Sequence, residues 1–266
     1  MDVNILYAFL LTLFAGLSTG IGSFIAVFTK NNNHKFLSVS LGFSAGVMIY
    51  ISFVEILPEA NHMLEPCFQA KEGLWVTLIA FFGGMLLITI IDKLVPEYEN
   101  PHEPPDPGAM DKIPKDTEKL RKLGVLSAIA IAIHNFPEGI ATFMSALQGM
   151  EIGLPIAVAV AIHNIPEGIA VAVPIFYATG SRKKAFKWSF LSGLAEPLGA
   201  AIAFLVLMPF LSGLLMGIVF ASVAGIMIFI SLDELLPAAE TYGEHHLAIY
   251  GVLAGMAVMA VTLVLL

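Results

Sequence analysis

The sequence predicts an all-α polytopic membrane protein with eight transmembrane helices, and three observations carry that prediction. Of the 266 residues, 58% are hydrophobic and only 13% are charged, against about 45–50% and about 25% in soluble domains. The apolar residues fall in long runs separated by short polar breaks, and about 20 such residues span a bilayer. The basic residues gather on alternate loops, which is how membrane helices are oriented. The charge balance, Lys+Arg 13 against Asp+Glu 21 for a net −8, argues against a nucleic-acid partner. A single cysteine, Cys67, excludes a disulfide framework and a cysteine-based metal cluster.

Breaks at Lys30–Lys35, Glu65–Gly73, Gly149–Gly153, Gly180–Lys184, Pro209–Gly213 and Thr241–His246 place spans near 4–28, 36–58, 73–95, 123–146, 152–174, 186–207, 214–237 and 247–266. The first span is too long for a removable signal peptide and lacks a basic start. Residues 96–122 are rich in proline and charge, and read as a flexible cytoplasmic loop within a single membrane domain over 1–266. Twelve of the 13 basic residues follow odd-numbered spans, with only Lys71 on the other side. Those loops therefore face the cytoplasm and both termini are extracytoplasmic.

Two internal repeats set the architecture. Residues 128–141 and 157–170 share 11 of 14 positions, including HNxPEG in each. Residues 45–60 and 224–239 share 10 of 16. The first pair lies on adjacent, oppositely running spans, and the second pair on spans two and seven. An inverted repeat of 3+2+3 spans follows, with spans one to three mirrored by six to eight. Inverted repeats with helix breaks near the midplane are a transporter signature.

Ionisable residues inside the spans point to a cation site. His134 and Glu138, His163 and Glu167, and Glu196 all fall near mid-span. A lone acid at the bilayer centre costs about 2.5–3.5 kcal/mol, so a bound cation is the economical compensation. His and Glu at i and i+4 share one helix face. Two such helices present two imidazoles and two carboxylates, which suits a divalent transition metal. Asn135 and Asn164 add amide oxygens beside each His, so that with Glu138, Glu167 and Glu196 they could form a second, harder position. Pro137 and Pro166 are expected to kink their helices and open the site. The bland alternative, a hydrogen-bonded His–Glu pair gluing two helices, does not explain two aligned copies plus a third mid-span acid.

Glu55 and Glu59 toward the outside, and Asp233 and Glu234 toward the cytoplasm, could attract and relay cations at opposite mouths, although capping of helix ends explains them equally well. Gly16, Ser18, Thr19, Gly20, Gly22 and Ser23 read as close helix packing. The basic run Arg182–Lys187 fits contact with anionic lipid.

HNFPEG and HNIPEG on consecutive spans, then AEPLG on the next, resemble the ZIP (Zrt/Irt-like) family of metal transporters, with HNFPEGIATF and HNIPEGIAVAVP closest to its bacterial ZupT subgroup. The resemblance implies uptake of divalent metal into the cytoplasm across the inner (plasma) membrane. Zinc is the typical cargo, and the subgroup also takes iron, manganese, cobalt and cadmium. It implies one metal site of His134, Glu138, His163 and Glu167, and an adjacent site of Asn135, Glu138, Asn164, Glu167 and Glu196. It further implies alternating access by relative movement of helix bundles, and a homodimer. Many members carry a His-rich loop between spans three and four, whereas this chain has only His102 there.

The reading is a non-enzymatic transporter, with the metal as transported ligand rather than cofactor. No P-loop supplies ATP drive; residues freed of metal could carry protons back. The alternative from another class is an intramembrane metal-dependent hydrolase. Against it stand the missing HExxH motif and the symmetry of the two motif copies, where hydrolysis needs an open metal position and an asymmetric base.

Overall fold

A computed structural model describes residues 2–28, 34–68, 70–94, 135–210, 212–242 and 245–265. His134, the first half of the expected fourth span and the 96–122 loop lie outside these residues. Among the described residues the chain is helical and contains no strand. The helices are α1 (Asp2–Phe28), α2 (His34–Ile51), α3 (Leu57–Leu64), α4 (Ala70–Leu94), α5 (135–148), α6 (Met150–Thr179), α7 (Arg182–Gly193), α8 (Ala195–Ile202), α9 (Gly213–Ile230), α10 (Leu236–Tyr242) and α11 (His245–Leu265). Among the described residues seven stretches are long and apolar enough to cross a membrane: Ile5–Val27, Lys35–Cys67, Lys71–Lys93, Met150–Ile169, Arg182–Val206, Gly213–Thr241 and His245–Leu265.

Turn chemistry ends the helices. Gly149, at φ 149°, joins α5 to α6, and Gly180, at φ 61°, closes α6 by donating its N–H to the Phe176 carbonyl. The Ser181 hydroxyl then caps α7 by accepting from the Lys184 N–H, and Ser212 caps α9 through the Leu215 N–H.

Pro166 does not divide its helix. α6 stays α-helical through Pro166. The backbone there is clamped on both sides: Gly22 of α1 sits against the Ile165 carbonyl, and Gly168 sits against the Thr19 carbonyl. The sixth span is instead interrupted at Leu194, between α7 and α8 and just before Glu196–Pro197. Wide turns appear ahead of three further prolines, one of them Ala203–Leu207 before Pro209. Ser52–Ile56 joins α2 to α3, and Ser231–Leu235 joins α9 to α10, each as a π-helical turn. In each, the residue before the proline bonds five residues back, Leu57 N–H to the Ser52 carbonyl and Leu236 N–H to the Ser231 carbonyl. Pro58 and Pro237 cannot donate to the residue four back, and the turn widens around that missing bond.

The helices sort into two bundles. One contains α1 and α5–α8; the other contains α2–α4 and α9–α11. Within each bundle, helices approach closely enough for glycine to face a neighbour's backbone carbonyl. Gly139 faces Glu196, Gly199 faces Phe136 and Gly193 faces Gly16 in the first. Gly46 faces Val252, Gly255 faces Phe43, Gly84 faces Ser222 and Gly225 faces Phe81 in the second. Small residues drive such packing in membranes, where no hydrophobic force separates helix from lipid. Among the described residues, every glycine contact of this kind stays within one bundle. The bundles meet mainly along α2 and α6. Large apolar side chains on the outer faces, such as Trp75, Ile79 and Phe82 of α4, are exposed as lipid-facing residues would be.

Candidate metal centre

The centre forms where α5, α6 and α8 meet. The i, i+4 spacing puts His163 and Glu167 on one face of α6, and Glu138 on α5 projects against it. His163 Nε2 lies 3.2 and 3.3 Å from the two Glu138 carboxylate oxygens. Glu138, His163 and Glu167 each offer a ligand atom within 4.8 Å of the others, and all three are buried. Neither carboxylate oxygen of Glu167 meets hydrogen-bond geometry, although the Asn135 amide lies beside it, and His163 Nδ1 has no partner. The charges of Glu138 and Glu234 bear on Glu167. Such an assembly of buried acids calls for a compensating positive charge.

The two asparagines are oriented alike. Asn135 Nδ2 donates to the Ser192 carbonyl at 3.4 Å, and Asn164 Nδ2 donates to the Ala15 carbonyl at 2.8 Å. Asn164 Nδ2 also donates to Glu196 Oε1 at 2.5 Å. With the nitrogen end of each amide anchored, the oxygens Asn135 Oδ1 and Asn164 Oδ1 are left buried and unpartnered, as is Glu196 Oε2. Glu196 is wholly buried and within electrostatic reach of both Glu138 and Glu167. One imidazole and two carboxylates, those of His163, Glu138 and Glu167, are thus close enough to share one ion, and Asn135, Asn164 and Glu196 add buried oxygens nearby, a mixed nitrogen–oxygen chemistry that suits divalent ions.

Of the expected site residues, Glu138, His163, Asn164, Glu167, Asn135 and Glu196 thus come together; His134 lies outside the described residues. The four acids assigned to the mouths behave unequally. Glu55 and Glu59 are half-buried neighbours around the first π-helical turn, and Asp233 is exposed. Glu234 is buried and acts on Glu167, so it sits nearer the centre than its place at a span end suggested. Sequence reasoning passed over Ser44, whose hydroxyl donates to the His163 carbonyl at 3.3 Å from the other bundle. A small polar residue in an apolar helix gives no signal of such a role.

Among the described residues, seven apolar membrane-spanning stretches and a buried cluster of imidazole, carboxylate and amide groups define a polytopic membrane protein with metal-ligand chemistry in its interior. A family model described as ZIP zinc transporter matches residues 2–121 and 102–263. The chain belongs to this family. It is 62% identical over 265 residues to the zinc transporter ZupT of Streptococcus mutans, covering 100% of this chain and 99% of that protein. It is 62% identical over 269 residues to the zinc transporter ZupT of Lysinibacillus sphaericus, covering 100% of both. The zinc transporter ZupT of Oceanobacillus iheyensis is 63% identical over 265 residues, with 99% of each chain covered.

Proposed function

We propose that this protein carries divalent metal, zinc foremost, across the inner membrane into the cytoplasm, through the buried centre of Glu138, His163, Glu167, Asn135, Asn164 and Glu196. The observation that carries the reading is the buried group of Glu138, His163 and Glu167, whose ligand atoms lie within 4.8 Å of one another, in a ZIP-family chain. His134, four residues before Glu138 as His163 is before Glu167, is the natural second imidazole. Iron, manganese, cobalt and cadmium are further cargoes that a mixed nitrogen–oxygen donor set accommodates. The protein is a transporter, not an enzyme, so the hydrolase alternative is set aside.

The eighth span, the outward termini and the inverted repeat belong to the same proposal. Support for the repeat comes from matched backbone contacts. The π-helical turns Ser52–Ile56 and Ser231–Leu235 occupy equivalent places in the 45–60 and 224–239 repeats. Gly46 and Gly225 are also equivalent, and each faces a carbonyl of a partner helix. The repeat operation returns each bundle to itself. Alternating access then follows from movement of one bundle against the other along the α2–α6 seam, where no glycine contact locks the backbones.

The test is uptake of zinc, iron and manganese by the purified protein in lipid vesicles, beside His163→Ala, Glu167→Ala and Glu196→Ala. Uptake is expected to fall severely in the first two and measurably in the third. Unchanged uptake in all three would sink the assignment of the site.

A further inference from the structure

Thr19 of α1 stands at the position that the inverted repeat makes equivalent to Glu196 of α8. Four contacts fix the correspondence. Gly168 faces the Thr19 carbonyl as Gly139 faces the Glu196 carbonyl. Gly22 faces the Ile165 carbonyl as Gly199 faces that of Phe136. Asn164 donates to Ala15 as Asn135 donates to Ser192. A methyl group at Gly16 would meet the Glu196 Cβ at 3.4 Å, and one at Gly193 would meet the Thr19 Cβ at 2.9 Å. From its Cβ the Glu196 side chain runs to Asn164 and the carboxylate cluster. The Thr19 hydroxyl oxygen lies toward α7, 3.0 Å from where a methyl group at Gly193 would stand, next to the Ser192 carbonyl that anchors Asn135.

The Thr19 hydroxyl is completely buried and has no hydrogen-bonding partner. Among the described residues Ser38, Ser52 and Thr142 share this state, whereas the remaining described threonines do not. Thr12, Thr77, Thr89, Thr179, Thr241 and Thr262 each donate to the carbonyl four residues earlier. For Thr19 that carbonyl belongs to Ala15, and it already accepts from Asn164 Nδ2 and from the Ser18 hydroxyl. The packing that anchors Asn164 therefore takes away the usual acceptor of Thr19. A buried hydroxyl left bare in this way is costly unless something else satisfies it.

We propose that the Thr19 hydroxyl is a further oxygen donor to the metal centre, on the side opposite Glu196, acting on the ion directly or through a water bound to it. It rests on the metal-centre reading above and adds to it a residue on α1. A neutral alcohol oxygen contributes most to ions that keep a large oxygen shell, so its effect falls on manganese more than on zinc, which is content with four ligands. The short side chain supplies this oxygen without adding another charge to a centre that already holds three carboxylates.

The experiment is binding of zinc and of manganese to the purified full-length protein in detergent, by titration calorimetry, with three variants. Thr19→Val keeps the shape and removes the hydroxyl; Thr19→Ser keeps the hydroxyl. His163→Ala reports on the centre itself. Thr19→Val is expected to weaken manganese about tenfold and zinc much less, with Thr19→Ser near wild type. Equal manganese affinity in Thr19→Val and wild type, alongside loss in His163→Ala, would overturn the role of Thr19 and leave the centre standing. Wild-type affinity in His163→Ala would remove the centre itself. Thr19→Ser binding as weakly as Thr19→Val would mean that packing, not the oxygen, matters, and would also overturn the inference.

Discussion

The Ser44 hydroxyl donates to the backbone carbonyl of His163, 3.3 Å away, and so ties α2 of one bundle to the metal-bearing segment of α6 in the other. Ser44 lies on the face of α2 opposite Gly42 and Gly46, which pack against α11. α2 is thus fixed on one side and hydrogen-bonded on the other. In the proposed cycle this bond must break whenever the bundles move. A neutral hydrogen bond is worth about 0.5–1.5 kcal/mol net, so Ser44→Ala is expected to raise the maximal uptake rate about two- to tenfold. Zinc affinity measured on the purified protein should stay at the wild-type value. A matching change in affinity would show that Ser44 shapes the site rather than the seam.

Glycine positions divide sharply by what lies beside them. Gly46, Gly168 and Gly225 face backbone carbonyls with no room for a methyl group, whereas Gly83 on α4 has nothing within 4 Å. Overpacking typically costs about 1–3 kcal/mol. Gly168→Ala and Gly225→Ala should lower the melting temperature of the detergent-solubilised protein by several degrees. Gly83→Ala should leave it unchanged or raise it slightly, since alanine favours the helix.

Zinc itself should stabilise the folded protein. A ligand that binds only the folded state at 100 times its Kd adds about 2.7 kcal/mol. A melting curve with saturating zinc is expected to shift upward for wild type and to stay put for His163→Ala and Glu167→Gln. Chelation should reverse the shift. An equal shift in all three proteins would place the zinc elsewhere.

The Asn164–Glu196 contact separates structural from metal-binding roles. Asn164→Leu takes the amide donor from a wholly buried carboxylate, and hydrogen bonds to charged groups are worth about 1.5–3 kcal/mol. Stability in denaturant should fall by roughly that amount. The double variant Asn164→Leu/Glu196→Leu should recover most of it, because no unsatisfied acid remains. Metal binding should be impaired in both. Persistent instability of the double variant would mean that the Asn164 bond to the Ala15 carbonyl carries the larger share.

Much of the centre was legible in the sequence because i, i+4 spacing fixes a helix face before any tertiary structure is known. His163 and Glu167 had to project together, and the duplicated motif had to bring Glu138 to meet them. Where helices bend was less legible. Pro166 reads like Pro58 and Pro237, yet only the latter two follow wide turns, because the backbone around Pro166 is clamped by α1. The break at Leu194 was missed for a related reason: AEPLG reads as continuous helix unless its tertiary partners are known. The anchoring of the asparagines on Ala15 and Ser192 has no sequence signal at all, since the acceptors are main-chain carbonyls available from any residue type.

Gly139 and Gly168 each follow directly after a glutamate of the centre, and each rests on the main chain of a neighbouring helix. The separation of those helices is thereby set by covalent backbone dimensions rather than by side chains that can repack. Ligand spacing should therefore resist changes in bilayer thickness, lipid composition and temperature. The same donor spacing would then persist in membranes of different composition without the change of a single residue.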